Sequence, residues 1–128
     1  MDVAWLRNYC LTLPHTTETV QWGDNLVLKV GGKMYALANL EPAAHWLSFK
    51  CSPEDFAELC EREGVSPAPY LARAQWVALE GEDTIALPEL KRLLRKAYDI
   101  VFEKLPKRTQ TALRQRPNRS AAFQPGSF

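Results

Sequence analysis

At 128 residues the chain has the size of one domain and can bury a core without disulfides or metal. Its 46% apolar and 24% charged residues exclude a disordered or fibrous chain, and no apolar run approaches the length of a membrane span. The net charge of +1 conceals an asymmetry: residues 1–103 carry 15 acids and 10 bases, while residues 104–128 carry six bases and no acid. A basic segment on an acidic body points toward contact with a polyanion, the alternative being a solvated tail.

Residues 2–13 read as a helix capped by Asp2, with Val3, Leu6, Tyr9, Cys10 and Leu13 at helical spacing and Pro14 as its stop. Residues 17–22 read as a strand rich in β-branched residues. The stretch WGDNLVLKVGGKMYAL, Trp22 to Leu37, is the strongest local signal. Leu26, Leu28 and Val30 alternate with Val27 and Lys29, and Gly31-Gly32 supplies the positive φ angles of a two-residue hairpin turn. Pro42 marks a loop at 39–45, and residues 46–51 alternate again as a fourth strand.

Ser52-Pro53-Glu54 is a helix start: a capping hydroxyl, a proline at the first helical position, and acids near the positive dipole end. Gly64 is expected to end that helix, a proline-braced loop follows at 65–74, and Gln75 to Leu79 form a fifth strand. Residues 87–105 form the longest helix, with a wide apolar face from Leu90 to Leu105, and 107–115 suit one more short helix. Consecutive short strands imply an antiparallel sheet. The expected fold is therefore α+β: a two-layer sandwich of about five strands, helices on one face, and an open opposite face. The domain is expected to span 1–108, with 109–128 as a basic, flexible tail.

The three cysteines are unpaired in pattern, with no C-x-x-C or H-x-x-x-H spacing, so neither disulfide framework, zinc site nor other cofactor is expected. Cys51 precedes a helix start, but alternation puts it with Leu47 and Phe49 on the core face as an inert thiol. His15 and His45 lack a neighbouring nucleophile or carboxylate motif, and the chain offers no catalytic constellation. The N-terminus lacks the pattern of a signal peptide, which gives a cytoplasmic expectation with no membrane partner.

Lys29 and Lys33 flank the hairpin turn; on spacing alone, protection of a sheet edge is favoured over phosphate contact. Arg92, Arg95 and Lys96 share their helix face with Glu89, Asp99 and Glu103, so ion pairing accounts for them. Lys104, Lys107 and Arg108 have no acid close by in sequence and are better phosphate candidates. Trp22, Trp46 and Trp76 are weighed as base-stacking platforms against core packing; Trp46 is expected to be the most exposed.

Four blocks carry a family resemblance: WGDNLVLKVGGKMYAL; LSFKCSPEDFAEL; Pro69 followed by Trp76, Val77 and Leu79; and LLRKAYDIVFEKLPKR. In this order and spacing the chain resembles the MmcQ/YjbR-like family of small bacterial proteins. The resemblance implies a fold comparable to CyaY-like and secretion-chaperone-like folds. It also implies DNA binding by a double-wing arrangement of β-hairpins. The basic run that many members carry before the Trp is Tyr70 to Gln75 here, and only Arg73 keeps a positive charge. The expectation is thus a non-enzymatic, sequence-nonspecific binder of double-stranded DNA using Lys29, Lys33, Arg73, Lys104, Lys107 and Arg108. The alternative is a protein–protein adaptor using the open sheet face; no small-molecule substrate is implied.

Overall fold

A computed structural model describes residues 2–41 and 43–116. In chain order the elements are α1 (Val3–Cys10), β1 (Thr16–Gln21), β2 (Asn25–Val30), β3 (Lys33–Asn39), β4 (Leu47–Lys50), α2 (Pro53–Leu59), β5 (Val65–Pro67), a 3-10 turn (Ala72–Ala74), β6 (Trp76–Leu79), α3 (Leu87–Glu103) and α4 (Lys107–Arg114). The strands form one open antiparallel sheet in the order β1-β2-β3-β4-β6-β5.

The α+β, two-layer expectation holds, with six strands rather than about five. The added strand, β5, falls where the prolines suggested a loop. It sits at the sheet edge and pairs only with β6, so Pro67 is placed where a missing N–H is tolerated. The helix starts follow the sequence signals. Asp2 accepts from Trp5 N at 2.9 Å, and Ser52 Oγ accepts from Asp55 N at 3.1 Å. Gly64 does not end α2, which stops at Leu59; its φ of +85° serves the later turn into β5.

One core joins the helices to one sheet face. Leu28, Val30, Ala36, Phe49, Val77 and Leu79 from the strands meet Leu6, Leu59, Leu90, Leu94, Ala97 and Leu113 from the helices. Strand β3 holds one residue more than β2 opposite it: Leu28 pairs with Ala36 but Lys29 with Met34, leaving Tyr35 as a bulge. The extra residue lets Tyr35 enter the core between α1 and α3. Its hydroxyl lies 2.9 Å from Thr16 Oγ1, and its ring meets Tyr98 edge-on at 5.6 Å. Burial pushes the Tyr35 hydroxyl far above the ordinary tyrosine range, so it remains a neutral hydrogen-bonding group.

The opposite face is not fully open. Residues 68–75 fold back over it, and Ala68, Trp76 and Ala78 form a second small core with Met34, Leu37 and Leu71. Trp46 corrects another expectation: it is 9% exposed and its indole donates to Gly81 O at 2.8 Å, while Trp22 is 64% exposed. The short helix expected at 107–115 is α4, and the expected 108/109 boundary lies close to its start. That boundary falls inside α4, where Gln110 and Leu113 are buried; residues 117–128 lie outside the described residues.

Candidate nucleic-acid interface

The β2–β3 turn is the centre of the basic surface. Gly31 and Gly32 have φ of +60° and +83°, the left-handed geometry a two-residue hairpin turn needs. Leu105, at the corner between α3 and α4, packs against Gly31. Pro106 breaks the helix there, and Gln110 closes the corner by donating to Glu103 O at 3.1 Å and Leu105 O at 2.8 Å. These bonds satisfy carbonyls that a helix end leaves without partners. Local chain chemistry thus places the turn beside the first basic residues of the C-terminal segment.

Two cavities flank the turn. The first, of about 510 Å³, lies between Thr17, Gly31 and Gly32 on one side and Arg108, Leu113 and Arg116 on the other. The second, of about 220 Å³, gathers Lys33, Lys50 and Lys104 around Met34, Trp76 and Leu105. Lys50 is 9% exposed because β4 lies between β3 and β6 with residues 68–75 across that face. Gln75, at φ +63°, turns the chain so that its carbonyl accepts from Cys51 N at 2.9 Å while Ala74 O accepts from the Lys50 ammonium. Burial lowers the Lys50 pKa from its ordinary value, and the neighbouring Lys104 charge lowers it further.

The cations divide into two groups. Arg7 pairs with Glu18; Arg62 with Glu58 and Glu89; Arg92 with Glu89; Arg95 with Asp99; Lys96 with Asp55. Lys91 lies over Tyr9 and Arg114 over Phe102. Among the described residues, Lys29, Lys33, Lys50, Arg73, Lys104, Lys107, Arg108 and Arg116 form no ion pair. The paired group is held by acids on the body; five of the unpaired group, Lys33, Lys50, Lys104, Arg108 and Arg116, line the two cavities beside the turn.

Of the residues singled out from the sequence, Lys33, Lys104 and Arg108 line the two cavities beside the turn. Lys29 is half-buried, across from Met34 in the same hairpin. Lys107 is exposed at the start of α4 and Arg73 is exposed in the 3-10 turn; neither lines these cavities. Lys50 belongs to the same surface and was missed, and Arg116, one of the six bases counted after Glu103 but not singled out, belongs to it too. Lys50 reads as one more strand residue until residues 68–75 and Lys104 surround it. Arg116 had only its lack of nearby acids to mark it.

Other candidates have ordinary surroundings. Burial pushes the Cys10 and Cys51 thiols up to about 12, away from reactive thiolate character. The His45 ring meets Ser66 Oγ at 3.2 Å. Among the described residues, no three His, Cys, Asp or Glu side chains are grouped to hold a metal, and no helix is long and apolar enough to cross a membrane.

The sequence model of the YjbR family matches residues 11–100, which takes in the sheet, α2 and most of α3. No curated protein matches the chain. A crystal structure of a protein from Pseudomonas syringae shares the fold, with a TM-score of 0.62 at 19% identity; the alignment covers 79% of this chain and 99% of that one.

Proposed function

We propose that this chain, which belongs to the YjbR family, is a non-enzymatic DNA-binding protein that holds the duplex backbone around its β2–β3 hairpin turn. The observation that carries this reading is the gathering of unpaired cations from distant parts of the chain at one turn. Lys33 comes from β3, Lys104 from the end of α3, and Arg108 and Arg116 from α4 and its end, with the more deeply set Lys50 of β4 adding charge behind them. Side chains of this kind contact phosphates and carry no base code, so binding is sequence-nonspecific. The turn acts as one wing, with Lys29, Lys107 and Arg73 as outlying contacts. A reducing cytoplasm suits the three free thiols.

Titration of duplex DNA at about 50 and 200 mM salt tests the reading. About four phosphate contacts predict a roughly 150-fold loss of affinity over that range. Absence of binding at micromolar protein in low salt would overturn it. One observation favours a second reading, a protein–protein adaptor: Val20 on the edge strand β1 is 60% exposed, beside the exposed Trp22. A stable heteromeric complex without DNA affinity would select that reading.

A further inference from the structure

We propose that Lys33, Lys50 and Lys104 form a phosphate-monoester site in the cleft beside the hairpin turn, with Lys50 as its inner ligand. Three lysines from separate elements line a cavity of about 220 Å³ that, among the described residues, no carboxylate lines. Buried cations are normally paired with an anion. Lys50 is 9% exposed, and among the described residues its one acceptor is the neutral carbonyl of Ala74. An ammonium carries three donors, so two remain for a ligand. The remaining walls, Met34, Trp76, Val101 and Leu105, are apolar and strengthen attraction to an anion within them. Repulsion between Lys50 and Lys104 is relieved when negative charge sits between them.

Charge and depth select the monoester. A phosphate monoester carries close to two negative charges at neutral pH and faces three cations here. A backbone phosphodiester carries one charge and is flanked by two sugars, which hold it at the rim, away from Lys50. The cleft is smaller than the ~300–1,000 Å³ of drug-sized pockets, so it admits the phosphoryl head and leaves the rest of the ligand outside. A 5′-phosphate on a nucleic-acid end and a small phosphorylated compound present the same head. The proposal stands independently of duplex binding at the turn.

Thermal melts of the full chain in inorganic phosphate, against chloride at matched ionic strength, test the site. Saturating phosphate is expected to raise Tm by about 4 °C or more. Lys50→Met should melt no lower than the parent in chloride and lose the phosphate increment. A Lys50 with a purely structural role would instead lower Tm and leave the increment in place. Lys104→Met, at the exposed rim, keeps the fold and should weaken phosphate binding by about tenfold; it carries the test where Lys50→Met does not fold. Equal melting in phosphate and chloride overturns the proposal, as does a full increment in both variants.

Duplexes with 5′-phosphate or 5′-hydroxyl ends, and a nucleoside monophosphate as competitor, identify the source. Tighter binding of phosphorylated ends, lost in Lys104→Met, supports a nucleic-acid terminus. A phosphate increment that the nucleoside monophosphate reproduces, without any end preference, supports a small phosphorylated compound. Duplex binding together with equal melting in phosphate and chloride overturns the cleft and leaves the duplex reading standing. A phosphate increment without duplex binding does the reverse.

Discussion

A Cβ built on Gly31 would stand 2.6 Å from Leu105 Cδ1. The hairpin turn is therefore seated on the α3–α4 corner, and the two basic stretches of the sequence share one rigid support. Gly32, one residue on, has open space around it. Gly31→Ala must adopt left-handed backbone and displace the buried Leu105, at a cost of about 2–4 kcal/mol. Gly32→Ala bears only the backbone strain, about 1–2 kcal/mol. Urea denaturation separates the two; an equal cost at both positions would show that the seat on Leu105 is unimportant.

Charge reversal at Lys29 and Lys33 together should weaken duplex binding by at least about tenfold while changing stability by less than about 0.5 kcal/mol. Neutralising Lys104 or Arg108 should each lower the salt slope of log K by about 0.9. Arg92→Gln and Arg95→Gln serve as controls, because Glu89 and Asp99 already occupy those guanidinium groups. An effect of the controls equal to that of Lys104 would place the contact surface elsewhere.

Arg62 ties α2 to α3: its guanidinium donates to Glu89 at 2.8 and 2.9 Å and to Glu58 at 2.7 and 2.9 Å. The hydrogen bonds from Arg62 hold the Glu89 carboxyl below its ordinary value of 4.5. The native state then binds fewer protons than the unfolded one across that window, so stability is present above pH 4.5 and is lost as pH falls through the folded value. These groups are partly solvated, so Arg62→Met should cost about 1 kcal/mol at pH 7. The gap between parent and variant should narrow below pH 4.5 in urea melts. A gap independent of pH would assign the cost to lost packing.

Thiol titration at pH 8 should find one slowly reacting cysteine in the native protein, the half-buried Cys60. Cys10 and Cys51, held up to about 12 by burial, should react only as the protein unfolds. Rapid modification of all three in native buffer would mean that the core around β4 and α1 opens readily.

Local chemistry made much of the fold legible. Asp2 and Ser52 cap helices as their side chains suggest, the paired glycines turn the hairpin, and the apolar face of α3 lies on the sheet. The misreadings arose where distant segments meet. Val65–Pro67 became a strand because β6 offered it a free edge. Trp46 became buried because Gly81, 35 residues on, supplies an acceptor for its indole. The candidate interface follows the same rule. Lys104 and Arg108 were visible as cations without acids nearby in sequence, but the Lys50 cleft exists only after residues 68–75 close one side and α3 ends above it.

The division between neutralised cations on the body and unpaired cations at the turn has a kinetic consequence. Residues 1–103 carry five more acids than bases, so most orientations present a polyanion with like charge. For the proposed duplex partner, the five unpaired cations lining the cavities beside the β2–β3 turn make approach with that turn leading the favoured one. The molecule is thus a dipole that aligns before it touches, and its association rate should fall with ionic strength even where dissociation is set by contacts made later.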